Sequence, residues 1–451
     1  MFQNIIDYIL GLGAAIFLPI IMIIIGLIFK MPAKRAILAG ITLGVAFTGM
    51  SLILDFMFGT ISPVAQDLVT RTGLELNAVD VGWTPMSAIA WAWPYALLMF
   101  PIQIIINLLM IGFKCTDTLN VDMWNVWGKI FTATMVQAIS GSLAFGFIAA
   151  AIQIVLELKI GDANKEKIEK ITSIPGVTCT HYMTIQCALM EPINILLDKI
   201  PGLGGKVFDS DKLRNKIGIF GENSVMGLIV GSLLAIIAGY SLSDVLNIGI
   251  KVAASLVLFP MVAKLFMQAL QPISDYASTY MKNKYQDREI HIGLDWPFMA
   301  GRSEIWVVSI ILVPLEIILA FLFAKFGWSS VLPLAGIVNV IVVVPALIVT
   351  NGDIIKMLIL SILFTPAYLI VSSQFAPAVT DLARAVGTID IPSGQYITYF
   401  GVEAPIFRWA ISKAFAIDIV GIILLIVVIA CIIYYVRKWT QNTKNKVTME
   451  V

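Results

Sequence analysis

Charged residues punctuate this chain rather than pervade it. Between them lie eight uncharged stretches, 8–29, 36–54, 86–113, 130–156, 223–243, 326–352, 357–380 and 419–436. A helix needs about 20 apolar residues to cross the roughly 30 Å hydrocarbon core of a bilayer, and each stretch reaches or nearly reaches that length. The pattern predicts an all-α polytopic membrane protein. Weaker segments at 174–200, 245–270 (broken by Lys251 and Lys264) and 303–324 (carrying Glu316) are further candidates. Nine to eleven crossings are therefore expected, some of them re-entrant.

Basic residues suggest an orientation. Lys30, Lys34 and Arg35 follow the first stretch, and Arg437, Lys438, Lys444 and Lys446 follow the last. The positive-inside bias places both clusters in the cytoplasm. The N-terminus is then outside, the C-terminus is inside, and 437–451 reads as a solvated basic tail. The first stretch reads as a retained span rather than a cleaved signal peptide, because its positive charges follow it instead of preceding it.

Several stretches are interrupted by proline: Pro85, Pro94 and Pro101 in the third, Pro333 and Pro345 in the sixth. A break inside a membrane frees backbone groups, which are tolerated only where they are buried in protein or line a cavity. In transporters such broken helices converge on a midplane site; elsewhere a proline only kinks a helix. An internal repeat is also suggested. DVGWTPMSAIAW at 80–91 and DWPFMAGRSEIW at 295–306 both open on Asp, close on Trp and precede long apolar segments. Approximate repeats over 1–215 and 216–436 would follow, with a substrate site at their interface.

Candidate chemistry sits in polar islands between the apolar stretches, at 79–87, 120–128, 174–187, 220–224 and 291–304. Asp295 lies at the mouth of an apolar segment, where a carboxylate is costly unless paired or hydrated. It could accept hydrogen bonds from adjacent hydroxyls or simply cap a turn. Asp80 is its counterpart in the matching island, with a loop start as the plainer reading. His181 lies in a donor-rich segment with Thr178, Thr180, Tyr182, Thr184 and Gln186; a neutral imidazole both donates and accepts. Glu222 and Asn223 are flanked by glycines, although a Glu at a helix start also suits the helix dipole. Gln137 could bond substrate or cross-link helices. Trp83 and Trp296 could stack on the C–H face of a polyol or belong to an interfacial belt. Asp122, Trp124, Asn125 and Trp127 read as capping and packing at the entry to a span. Glu304 and Glu316 could serve in ion pairs or gating.

Composition narrows the classes. Hydrophobic residues make up 59% of the chain and charged residues 13%, about half the charged share of soluble domains. A net charge of +1 offers no basic field for nucleic acid. Two histidines and four scattered cysteines argue against a metal site or other cofactor. No phosphate-binding G-x-x-x-x-G-K-[ST] loop is present, so the chain does not itself hydrolyse ATP. No arginine ladder suggests voltage gating, and no cysteine heads an anion-binding loop suited to carrying a phosphoryl group.

Taken together, VDVGW (79–83), NVDMWNVW (120–127), IPG with the nearby His181, EPINILLDKIPG (191–202), FGENSVMG (220–227) and GLDWPFMAG (293–301) resemble the galactitol-type enzyme IIC subunits of the bacterial sugar phosphotransferase system. The chain is more distantly similar to the ascorbate-type enzyme IIC. The resemblance implies a homodimer of about eleven transmembrane helices in the bacterial cell membrane. Inverted repeats would form a core domain for substrate, beside a dimerisation domain, and transport would be of the elevator kind. Such a subunit is not catalytic alone and needs no cofactor. A separate IIB subunit phosphorylates the sugar or polyol, fed by IIA, HPr and enzyme I, and the charged product cannot recross the membrane. By the same resemblance Asp295, His181 and Trp83 fall at the substrate site. Gly128 stands where the family pattern has a histidine, and GENS stands in place of GEP; both bear on which epimer is accepted. An ion-coupled transporter using Asp295 or Glu222, or a phosphotransferase permease for ascorbate or a hexose, is the competing reading.

Overall fold

The computed structural model describes residues 14–72, 78–91, 93–120, 122, 125–203, 223–285, 290–333, 336, 338–386 and 396–449. Trp124, Glu222 and the junction between the expected repeats at 215 lie outside the described residues. Asn223 opens a helix, but its side chain too lies outside them.

Helices dominate. One group comprises α1 (Ala14–Ile28), α2 (Ala33–Thr72) and, much later in the chain, two more helices, Asn223–Ala238 and Leu242–Tyr285. These four pack on one another. At 1.5 Å per residue, the 40 residues of α2 and the 44 of Leu242–Tyr285 run to about 60 Å or more, well beyond a single bilayer core. Small residues let this group close up. A Cβ added at Gly231 would come within 3.0 Å of the Gly249 Cα, and one at Gly227 would come within 2.6 Å of the Ala253 Cα. Close backbone approach of this kind is how helices associate in lipid, where no hydrophobic force drives them together.

The second group begins with α3 (Trp83–Trp91), α4 (Met99–Gly112), α5 (Val126–Ser140), α6 (Leu143–Thr172) and α7 (Gln186–Leu197). With Asn223–Ala238 as α8 and Leu242–Tyr285 as α9, it continues through α10 (Ser303–Lys325), α11 (Val340–Thr350), α12 (Ile354–Val386), α13 (Pro405–Phe415) and α14 (Ile419–Met449). Among the described residues, four helices are both long and apolar enough to cross a membrane: Leu143–Thr172, Ser303–Lys325, Ile354–Ala385 and Ile419–Thr440. α4, α11 and Gly227–Ala238 are shorter apolar helices. Exposed isoleucines and leucines such as Leu242, Ile250, Ile419 and Ile426 give the molecule an apolar exterior suited to lipid.

Two predicted spans are broken. The run 130–156 turns at Gly141, whose positive φ of 73° ends α5; Ser142 then caps α6 by accepting from the Phe145 N–H. Gln137 is therefore near a helix end, not mid-span. The run 86–113 divides into α3, a 3-10 turn at Ala96–Leu98 and α4, with Pro94 in the break. The last helix, α14, continues into the expected tail as far as Met449. Lys438 pairs with Glu191 at 2.6 Å, and the Lys167 ammonium lies 3.7 Å from the centre of the Trp439 ring.

The fold is not purely helical. Backbone freed at the breaks is paired in two small parallel sheets, which is what a membrane interior demands of non-helical chain. In one, β1 (Ala78–Asp80) lies between β5 (Val331–Leu332) and β6 (Tyr396–Thr398). In the other, β4 (His291–Leu294) lies between β2 (Thr118–Asn120) and β3 (Val177–Cys179). The register pairs Gly293 with Asn120 and with Thr178. A side chain closes an edge: Asn107 of α4 donates to the Thr118 carbonyl and accepts from the Asn120 N–H, both at 2.8 Å. Asp162 of α6 accepts from the Thr116 and Thr118 hydroxyls and the Asp117 N–H. Three polar islands, far apart in sequence, are thereby brought side by side.

Candidate substrate site

Parallel pairing delivers the ends of β2, β3 and β4 to one place. Beyond β4 the chain enters a 3-10 turn, Trp296–Met299, capped by Asp295, whose Oδ1 accepts from the Trp296 N–H at 2.7 Å. Beyond β3 a second 3-10 turn, Tyr182–Ile185, is capped in the same way by His181. The Met183 N–H donates to Nδ1 of His181 at 3.3 Å. That bond needs a lone pair at Nδ1, so the proton of the neutral ring sits on Nε2. Nε2 faces Asp295 Oδ1 at 3.9 Å. The separation is too long for a direct hydrogen bond and short enough for one hydroxyl to bridge both groups.

The third island supplies neighbours. Asp122 accepts from the Asn125 backbone and side-chain N–H groups at 3.1 and 2.7 Å. The Asn125 side-chain carbonyl oxygen accepts from the Trp127 indole at 3.2 Å. Asp122, Asn125 and Lys129 all lie within electrostatic reach of Asp295. The sequence pattern of this island predicts capping and packing alone. Asn125 stands at the N-cap position of α5 without a side-chain cap hydrogen bond, and the island borders the Asp295 carboxylate. Lys129 is fully buried and paired at 2.7 Å with Glu157, which in turn accepts from Gln153.

Aromatic rings continue the site. The His181 ring stacks on Tyr182 at 4.8 Å and 12°. The Arg408 guanidinium lies 4.5 Å from the Tyr182 ring centre and 4.6 Å from that of Phe131. Trp127 sits edge-on to Tyr182 at 6.4 Å and tilted against Tyr399 at 5.9 Å. Arg408 also donates to the Gly128 carbonyl at 3.3 Å, and Tyr399 donates to Glu403 at 2.9 Å. Arg408, Glu403 and Tyr399 come from the chain following β6 in the other sheet. No signal in YFGVEAPIFRW distinguishes them from the start of an amphipathic helix.

The remaining candidates have partners of their own. Asp80, at the end of β1, is buried; it accepts from the N–H groups of Gly82, Gly336 and Phe400 and so holds three loops together. Trp83 opens α3 on that side and is half-buried. Gln137 accepts from the Trp93 indole at 3.1 Å, across helices. Trp296 is buried and packs toward Trp306. Glu304 is paired with Arg302 at 2.5 Å, and Glu316 is fully buried in α10. Among the described residues no group of His, Cys, Asp and Glu could hold a metal ion.

Comparison with known proteins identifies the family. Residues 8–394 match the family model described as PTS system sugar-specific permease component, of the EIIC-GAT type. A protein of Escherichia coli (strain K12) whose name designates it a permease IIC component is 31% identical over 434 residues, 96% of this chain and 98% of its own length. The PTS system galactitol-specific EIIC component of the same strain is 30% identical over 421 residues, covering 92% of both chains. The counterpart of that name in Escherichia coli O157:H7 shows the same identity and coverage. This multi-pass membrane chain belongs to the sugar-specific permease IIC family of the phosphotransferase system.

Proposed function

We propose that the chain is a galactitol-type permease subunit that binds a neutral polyol between His181 and Asp295 and carries it inward for phosphorylation by a separate IIB subunit. The observation that carries this reading is the 3.9 Å gap between a donor and an acceptor. A hydroxyl is both acceptor and donor. Placed beside both atoms, at the apex of a triangle, it accepts from Nε2–H and donates its O–H to the carboxylate, with both bonds near the usual ~2.7–3.0 Å. The identity to galactitol-specific relatives supports the substrate class.

The grouping of elements supports the wider arrangement. α1, α2, α8 and α9 would form the dimerisation domain of a homodimer, and the sheet-bearing group would form the moving core of an elevator. The turn after Asp295 and β4 both contact α9, so the site rides along the boundary between the two. The chain entering DVGW and the chain entering DWPF each form the central strand of a three-stranded sheet, as inverted repeats would require. The C-terminus would face the cytoplasm, where IIB, IIA, HPr and enzyme I act. Purified chain in vesicles tests the reading: it should equilibrate a polyol without concentrating it and support its phosphorylation only when phosphorylated IIB is supplied. Concentration of unmodified polyol by the chain alone would favour ion coupling instead.

A further inference from the structure

We propose that Glu403 and Arg408 form a second hydroxyl-reading pair, contributed by the chain after β6, so that the polyol is held at two separate hydroxyls by residues of both sheets. The inference rests on the polyol reading of the His181–Asp295 pair.

Both side chains are buried at 1% exposure. Arg408 Nη1 and Glu403 Oε2 face each other at 3.7 Å. A buried guanidinium–carboxylate pair that serves only structure normally closes to about 2.7–2.9 Å, because charge-assisted hydrogen bonds are what offset the desolvation of both ions. Here the two facing atoms make no hydrogen bond, while the other atoms of each group are used: Nη2 by the Gly128 carbonyl and Oε1 by the Tyr399 hydroxyl. The pair is thus held open by its own partners. The pair repeats the His181–Asp295 arrangement, a donor and an acceptor side by side and too far apart to bond each other, so that one hydroxyl placed beside both would accept from Nη1 and donate to Oε2.

The two pairs are linked through one ring. His181 stacks on Tyr182, and Tyr182 in turn carries Arg408 on its ring. The Tyr182 hydroxyl and Thr180 Oγ1 are also buried without a hydrogen-bond partner, as expected where a polyhydroxylated ligand supplies the missing bonds. A polyhydroxylated ligand fits this arrangement because each gap requires a group that both donates and accepts, as a hydroxyl does and an ionised carboxylate does not.

The test is calorimetric titration of the detergent-solubilised chain with galactitol and its monodeoxy analogues, using wild type, His181→Gln, Glu403→Gln and Arg408→Lys, with thermal unfolding as the fold control. Wild type should lose at least tenfold in affinity at two distinct hydroxyl positions. His181→Gln should erase the penalty at one, and Glu403→Gln or Arg408→Lys should erase it at the other. Discrimination at a single position in wild type, or both penalties unchanged in folded Glu403→Gln and Arg408→Lys, would overturn the second pair and leave the first standing. No binding of any polyol by wild type would overturn both.

Discussion

The α carbon of Gly128 lies against the ring of Tyr182. A Cβ added there would stand 2.2 Å from the Tyr182 Cε1. In this chain the tyrosine occupies the space that a side chain at 128 would take, and the Gly128 carbonyl receives Arg408. The absence of a side chain at this position is thus matched by the ring that carries His181 on its stack.

Gly128→Ala should therefore displace Tyr182 and loosen the stack. Overpacking of a filled interior costs about 1–3 kcal/mol. The expected result is a lower melting temperature together with at least tenfold weaker polyol binding, read by thermal unfolding and calorimetry on the same sample. Retention of both would show that the ring moves aside freely.

Asp80 and Asp295 should separate by phenotype. Asp80 accepts three backbone N–H groups, so Asp80→Asn sets a donor amide against donors. A cost of about 1–3 kcal/mol follows from the unsatisfied groups. The variant should melt early but, below its melting temperature, bind polyol with wild-type affinity. Selective loss of binding in a fully stable Asp80→Asn protein would return Asp80 to the substrate site.

Lys129 and Glu157 should behave as a unit. Removing one member of a buried pair strands the other, at about 3–5 kcal/mol, whereas replacing both by apolar residues is often neutral. Lys129→Met should be strongly destabilised, and Lys129→Met with Glu157→Leu should recover most of the loss in thermal unfolding. Equal damage in the double variant would mean that the charges themselves are required for folding.

The end of α14 divides at Trp439. Truncation after Trp439 keeps the Lys438–Glu191 pair and the Lys167–Trp439 contact and should leave transport and stability unchanged. Truncation after Val436 removes both and should lower the melting temperature. Loss of phosphorylation-coupled uptake in the longer truncate, with stability intact, would assign the final residues to IIB docking.

Hydrophobic patterning makes part of this arrangement legible in the sequence. Asp295 and His181 stand out because a carboxylate and an imidazole are expensive in an apolar setting, and they do face each other. Pro94 marks a broken helix. The strands are not legible, since segments of two to four residues show no alternation, and neither is the break at Gly141–Ser142 inside an uncharged run. Asp122 and Asn125 read as capping alone because their second neighbour, Asp295, arrives only through parallel pairing of β2 and β4. Arg408 and Glu403 escape notice for a related reason. The partners of Arg408 at Gly128, Tyr182 and Phe131 lie more than two hundred residues away, and hydrophobic patterning carries no information about such contacts.

Polyol binding to purified wild-type protein and to Asp295→Asn, under identical conditions, probes the proposed site most directly. A polyol that binds wild type and loses at least a hundredfold in affinity, about 2.7 kcal/mol, to a folded Asp295→Asn protein is the predicted result. Wild-type affinity in the variant would contradict the placement of substrate between His181 and Asp295.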